Sequence, residues 1–401
     1  MTIAFSACAG AARADARSRK YYYEDILRPF FAVDPARPSV YRAQRPDAVA
    51  SSFTVVKATD AFRVFILGGS IASLLSDGSS RRIEDELAAA LPGRRLELIN
   101  CGMGGYDSYR EALIEQEILE YSPALIVFLS GHNEDLASAQ VPVWIMKTQE
   151  RLSRWSAYRA LVRRLHPESA PRAVHSDARA DQRDAAFERN LRENIRQARR
   201  RGVAVAVVVP PRNYREPLDS GLTLYDAGFV PGWIRFLQGD FAGARRAWTD
   251  ALDAPAKTGA PSTAAKGFLW GFIARCEEKL GLWDEARRSF ERTALHDRAA
   301  ICGSLCQDII RRSAREEDGL LVEADAMFRR LALPRMPGLE TFDDRMHWKR
   351  RFNCLMWTEI ADTLRRDPGL AALPWDAARL KTMRDGCEKP GAAATDEQDD
   401  Q

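Results

Sequence analysis

Two short segments far apart in the chain carry residue types that can do chemistry together. Gly68-Gly69-Ser70 ends the apolar run Phe62-Arg63-Val64-Phe65-Ile66-Leu67, which sets a serine on the tight turn where a buried strand stops. Asp344-Arg345-Met346-His347 sets a carboxylate and an imidazole close enough for one to orient the other. A serine hydroxyl, an imidazole and a carboxylate make a nucleophile, a base and an orienter. That set suffices for acyl transfer through a serine, a chemistry recognised by geometry and roles and not by chain order.

Such chemistry also needs donors for a developing oxyanion. Asn100-Cys101-Gly102-Met103-Gly104-Gly105 follows the strand-like Leu96-Glu97-Leu98-Ile99, and Gly131-His132-Asn133-Glu134 follows Ala124-Leu125-Ile126-Val127-Phe128-Leu129. A glycine at a strand end lets backbone N–H groups approach a ligand without a Cβ in the way. An asparagine there offers a side-chain donor. Removing one such donor typically costs about 3–4 kcal/mol of transition-state stabilisation.

These four segments, in this order, resemble the four blocks of the SGNH/GDSL hydrolases, a family named for its Ser, Gly, Asn and His. The resemblance covers about residues 60–135 and 300–365. It implies Ser70 as nucleophile and first oxyanion donor, and Gly105 as second donor, from the family's N-x-x-x-x-G pattern. It implies Asn133 as third donor, matching G-x-N-D, and Asp344 and His347 as the D-x-x-H pair. Two positions depart from the family: Gly69 stands for the Asp of G-D-S, and Glu134 for the Asp of G-x-N-D. Neither carries a named catalytic role. The Gly-Gly-Ser and Gly-His-Asn-Glu blocks look like a bacterial subset that often carries helical repeats.

Each motif alone has a plainer reading. Gly-Gly-Ser serves ordinary turns and anion-binding turns before helices. Asp-x-x-His occurs at helix starts, with Asp as N-cap. An asparagine after a strand is a common turn residue. Their occurrence in order, three of them after apolar strands, is what favours a site.

The elements that must position them read as alternating strand and helix. Strands are expected at 62–67, 95–100, 124–130 and 203–209, with a weaker one at Leu320-Leu321-Val322, and helices at about 81–91, 107–120 and 184–201. Continuous apolar strands separated by helices argue a parallel sheet covered on both faces. Ligands of such sheets sit at the carboxyl ends of strands, where Ser70, Gly105 and Asn133 all fall. The expected fold is an α/β three-layer α/β/α sandwich of SGNH or flavodoxin-like type, with an α-helical insertion.

Residues 228–300 break the pattern. Gly239-Asp240-Phe241 is followed by Ala244, Trp248 and Ala251; Gly281-Leu282-Trp283 is followed by Ala286, Phe290 and Thr293, 42 residues on at identical offsets. They resemble second helices of tetratricopeptide repeats, whose period is about 34. Trp270 takes the first-helix Trp position, and Ala254–Pro261 reads as an inserted loop. The expected organisation is an N-terminal extension (1–60), a first core part (61–227), a helical insertion (228–300), a second core part (301–387) and an acidic, disordered tail (388–401).

Composition bounds the function. With 401 residues, 46 % of them hydrophobic, the chain can bury a sizeable core. A net charge of +3 gives no global field for nucleic acid. No apolar run approaches the roughly 18–20 residues of a membrane span. The arginines of 151–201 are interleaved with Asp177, Asp181, Asp184, Glu188 and Glu193. Leu152, Trp155, Tyr158, Leu161, Val162 and Leu165 recur at helical spacing, so the arginines read as a solvated helix face. Seven scattered cysteines do not read as a disulfide framework. Cys302 and Cys306 read as core residues of a helix; with His296 they lack a fourth metal ligand. Phe5-Ser6-Ala7-Cys8 faintly resembles a lipobox and Ala14-Asp15-Ala16 a cleavage site, without a basic n-region. The location therefore reads as cytoplasmic, or periplasmic or secreted behind an incomplete leader.

The expected function is a serine esterase acting on a small-molecule, glycan or lipid ester, without metal or organic cofactor. O-acyl transfer on the same site is the alternative. A helical-repeat interaction protein on a hydrolase scaffold, binding a protein partner through 228–300, is the second.

Overall fold

The computed structural model describes residues 29–45, 47–76, 81–134, 177–216, 229–253, 263–296, 302–370 and 373–387, with isolated positions between 148 and 158. The N-terminal motifs, the expected loop Ala254–Pro261 and the acidic tail lie outside them. So does most of the expected helix that begins at Leu152.

The chain opens with three strands, β1 (Phe31–Asp34), β2 (Arg37–Ala43) and β3 (Ser52–Thr54), paired as an antiparallel sheet in that order. Five more form the main sheet: β4 (Ala61–Gly68), β5 (Arg95–Asn100), β6 (Leu125–Leu129), β7 (Ala204–Val208) and β8 (Leu320–Val322). Their order is β5-β4-β6-β7-β8, and every pairing is parallel. All five strands fall where the apolar runs place them, the short β8 included.

Strand side chains alternate between two buried layers. Val64, Ile66, Val127 and Val208 face one cluster, which Phe328, Trp348, Met356 and Ile360 fill from the helices and loops after β8. Phe65, Leu67, Phe128 and Val207 face the other, with Ile114, Phe187, Leu191 and Ile310 from the opposite helices. Both faces are covered, which is why these strands read as continuous apolar runs. Arg63 is the exception within β4. Its guanidinium, 1 % exposed, bonds Glu97 at 2.7 Å and the carbonyls of Tyr121 and Thr54 at 2.8 and 2.9 Å. It thereby ties β3 to the main sheet, while Phe31 and Phe53 pack edge-on against Phe65.

The helices follow in chain order: α1 (Ser70–Ser73), α2 (Arg81–Ala89), α3 (Ser108–Ile118), α4 (Asp177–Arg200), α5 (Val230–Leu237), α6 (Phe241–Leu252), α7 (Thr263–Lys279), α8 (Trp283–His296), α9 (Ser304–Glu316), α10 (Ala324–Leu331), α11 (Asn353–Arg366) and α12 (Ala377–Cys387). The arginine-rich α4 has its charges answered at the surface: Arg192 and Arg196 reach Glu317 at 2.8 and 2.6 Å, and Arg200 reaches Glu193 at 2.7 Å. Helices α5–α8 form two helical hairpins between β7 and β8. Trp248 is fully buried among Phe229 and Phe272 and donates its indole N–H to the Phe229 carbonyl at 3.0 Å. Ala244, Ala286 and Phe290 are buried as their repeated spacing expects. Among the described residues no helix is long and apolar enough to cross a membrane.

The cysteine reading needs correction. Cys302 and Cys306 form a disulfide, as do Cys354 and Cys387. Helix α9 starts only at Ser304, so Cys302 lies ahead of it, 5.1 Å from Cys306 between Cα atoms. That separation suits a disulfide. The second bridge links α11 to α12, a proximity that sequence spacing does not reveal. A metal held by Cys302, Cys306 and His296 is excluded, since both thiols are consumed in the bridge.

Candidate functional site

The sheet order puts a switch point beside β4. The chain leaves β4 for β5 on one side and returns to β6 on the other. Crevices for ligands open at the carboxyl ends of strands at such a point.

Ser70 opens α1 directly after β4. As first residue of a helix its backbone N–H has no intrahelical partner. The rest of the turn is held firmly. Asn353 and Trp357 of α11 donate to the carbonyls of Leu74 and Leu75 at 2.6 and 3.0 Å. Asn100 donates to the Ala72 carbonyl at 2.8 Å and accepts from Gly102 N–H at 2.7 Å.

His347 arrives from the far end of the chain. Its Nε2 lies 2.7 Å from Ser70 Oγ, and its Nδ1 lies 2.6 Å from Asp344 Oδ2. The other Asp344 oxygen accepts from the N–H groups of Met346 and His347, both at 2.8 Å. Burial raises the Asp344 pKa, but the His347 side chain and these two N–H groups outweigh it and hold the carboxyl below its usual range. The segment is no helix start. It is a tight loop closed by a bridge between Phe342 and Trp348, with Asp343 N–H on the His347 carbonyl at 2.8 Å. Asn213, just past β7, holds the loop from beneath: its N–H donates to the Arg345 carbonyl and its side chain to the Asp344 carbonyl, both at 3.1 Å.

Asn133 follows β6 and donates one amide hydrogen to the Tyr106 carbonyl at 3.1 Å. A primary amide has two such hydrogens, so this bond fixes its plane and leaves the second. The Asn133 nitrogen lies where a side chain at Gly69 would begin: a Cβ built there stands 2.2 Å from it. Position 69 therefore has room for glycine only while Asn133 stays in place. Gly105 has φ +77°, a conformation that suits glycine. Its carbonyl accepts from Arg110 at 2.9 Å, and its N–H has no partner among the described residues.

Two further residues of the Gly-His-Asn-Glu block, His132 and Glu134, are buried props. Glu134 reaches the start of α3 and accepts from Ser108 N–H at 3.0 Å and Ser108 Oγ at 2.7 Å. Burial, with Asp107 and Glu111 nearby, pushes its pKa well above the ordinary value. His132 Nδ1 accepts from the Cys302 N–H at 3.1 Å. Burial lowers the His132 pKa to about 3, helped by the positive charges of Arg212 and His347, so this imidazole is neutral at physiological pH.

Ser70, His347 and Asp344 are thus joined by hydrogen bonds, with Asn133 beside Gly69 and Gly105 on the adjoining turn. Asn100 and Asn213 were missed as supports. The signal for Asn100 was present, as the first residue of the N-x-x-x-x-G pattern. Asn213 has no motif; only its place after a strand hinted at it. Chemically, a hydroxyl on an imidazole on a carboxylate can pass a proton away from the oxygen as it attacks.

No protein-family model and no curated protein matches this sequence. Solved structures with a similar chain course include an acetyl xylan esterase, at 14 % identity over 75 % of this chain and 99 % of that one, with a TM-score of 0.37. An α/β hydrolase from the metagenome of Lake Arreo, Spain, is 15 % identical over 77 % of this chain and 96 % of that one, with a TM-score of 0.38. A GDSL-like lipase from Bacteroides thetaiotaomicron is 12 % identical over 75 % and 86 %, with a TM-score of 0.34. Likeness at this level concerns the course of the chain alone.

Proposed function

We propose that this chain is a serine esterase of the SGNH/GDSL type. The carrying observation is the continuous hydrogen-bonded series from Ser70 Oγ through His347 to Asp344, 2.7 and 2.6 Å long, at the switch point of the sheet. His347 Nε2 takes the Ser70 proton as Oγ attacks the ester carbonyl. The carbonyl π electrons move onto oxygen, which the N–H groups of Ser70 and Gly105 and the side chain of Asn133 receive. His347 returns the proton to the departing alcohol. Water, deprotonated by the same imidazole, then releases the acid and restores the serine. Asp344 keeps Nδ1 protonated and stabilises the imidazolium.

Hydrolysis is favoured over transfer by exposure. The Asp344 and His347 side chains are 51 % and 30 % exposed, which leaves the base open to water. The reading as an interaction scaffold has less support, since a decayed site need not keep all three groups in bonding distance. Ser70→Ala should lower turnover of p-nitrophenyl acetate by roughly 10⁴–10⁶-fold with the fold retained. A fluorophosphonate should label the peptide containing Ser70. Label on another serine, or full activity in the variant, overturns the reading.

A further inference from the structure

The disulfide between Cys302 and Cys306 stands behind the segment that carries Asn133. A Cβ built on the buried Gly131 would lie 2.8 Å from Cys306 Sγ and 3.0 Å from Cys302 Sγ, so both sulfurs rest against this glycine. The next residue is gripped as well: Cys302 N–H donates to His132 Nδ1 at 3.1 Å. The two residues before Asn133 therefore both bear on one bridge.

The bridge is itself anchored at each end. Cys306 lies in α9, and its neighbour Gln307 donates to the Pro210 carbonyl, just past β7, at 3.1 Å. Ile309 and Ile310 of the same helix are buried in the layer beneath the sheet. Cys302, ahead of the helix, has its carbonyl bonded by Arg212 at 3.4 Å. The covalent bond joins these anchors into one surface, its cysteines only 1 % and 9 % exposed. Close-packed sulfur leaves Gly131 no room to move toward α9.

Asn133 is held from its other side too. Glu134 accepts from Ser108 at the start of α3, and the Asn133 amide itself donates to the Tyr106 carbonyl. Removing the brace behind Asn133 frees one end of this short segment and leaves the other attached. The side chain can then swing without the segment coming away.

We propose that the Cys302–Cys306 bridge is a positioning element of the oxyanion site: it braces Gly131 and His132 against α9 and so fixes where the Asn133 amide points. The proposal rests on the esterase reading for what Asn133 does, and on packing alone for the brace.

Two measurements keep these apart. The first is steady-state turnover of p-nitrophenyl acetate by Cys302→Ser/Cys306→Ser, normalised to sites titrated with a fluorophosphonate so that unfolded protein does not count. Its kcat should fall by roughly ten- to a hundredfold with KM within about twofold, since a displaced donor is lost to the transition state and not to the bound ester. In an Asn133→Ala background the same pair should cost less than about twofold. If the serine pair does not fold, His132→Leu, which removes the acceptor for Cys302 N–H, should show the loss instead. His132→Asn, which keeps an acceptor near that place, should recover most of it. The second measurement is hydrogen exchange, which needs no substrate. Peptides spanning 129–134 should exchange roughly tenfold faster in the serine pair, or in His132→Leu, than in wild type, while those spanning 342–348 keep their rates. A wild type that cleaves no ester refutes the esterase reading and leaves the exchange result to decide the brace. Turnover per site within about twofold of wild type, full additivity with Asn133→Ala, unchanged exchange in 129–134, or free thiols at both cysteines of the native chain each overturns the proposal.

Discussion

Gly69→Ala is the sharpest probe of the site. Gly69 sits at φ −81°, which alanine accepts freely, so backbone strain plays no part. The new Cβ, however, would stand 2.2 Å from Asn133 Nδ2 and 3.3 Å from the Tyr106 carbonyl oxygen. An ordinary carbon–nitrogen contact is about 3.5 Å, so Asn133 must retreat by roughly 1 Å. Its 3.1 Å bond to Tyr106 breaks or bends. For the fold this is inexpensive: one partly exposed hydrogen bond, about 1 kcal/mol. For catalysis it removes a donor from its place, about 3–4 kcal/mol or roughly 10²–10³ in kcat. Steady-state kcat on p-nitrophenyl acetate and a urea melt should therefore diverge, with a large loss in the first and a small one in the second. Because both changes act through one side chain, Gly69→Ala in an Asn133→Ala background should cost little further. Activity of Gly69→Ala within twofold of wild type, or full additivity with Asn133→Ala, would refute the oxyanion role of Asn133.

Three further outcomes are expected. Asp344→Asn should lower kcat by roughly 10²–10⁴, since the amide no longer selects the Nδ1-protonated tautomer of His347; kinetics on the same ester check it, and a loss below tenfold would point to another orienter. Glu111 is buried and its pKa is pushed up to about 8, by burial first and by Asp107, against the lowering hydrogen bond from Ser130. Its unfolded form ionises from about pH 4.5, so its contribution is intact below that and is lost as pH rises to about 8. Glu111→Gln should then gain stability over wild type at pH 8 by up to a few kcal/mol but not at pH 4, as melts at the two pH values will test. Replacing Cys302 and Cys306 together by serine should cost about 2 kcal/mol from loop-closure entropy, and unreduced peptide mapping should find the two cysteines of the native chain joined.

The parallel sheet was legible because its strands are buried on both faces and need no subtle pattern. Even β8, with three residues, showed as Leu320-Leu321-Val322. The antiparallel sheet of β1–β3 was not. Strand β2 is largely exposed along Arg37–Ala43 and contains a proline, two arginines and a serine, so it has neither an apolar run nor an alternation. The proximity of Ser70, Asp344 and His347 was foreshadowed because chemistry limits which residue types can serve together at strand ends. Their supports were less so. Asn213 and Trp357 act through carbonyls more than a hundred residues away in the chain, a relation that spacing cannot express. The repeated offsets in 228–300 anticipated the burial of Ala244, Trp248, Ala286 and Phe290, but the bond from Arg275 to the Arg215 carbonyl depends on a three-dimensional path that no local pattern records.

The separation of 277 residues between Ser70 and His347 has a consequence during synthesis. A ribosome adding about 5–20 residues per second needs roughly 15–55 s to travel from one to the other. In that interval the nascent chain holds a serine with no base. Asn213, the prop beneath the loop, is already made, but the insertion must be completed before β8 can close the sheet edge and the loop can reach its seat. On the proposed mechanism, a chain cut short before His347 has no base for Ser70, and the helix that holds the Ser70 turn through Asn353 and Trp357 is made later still.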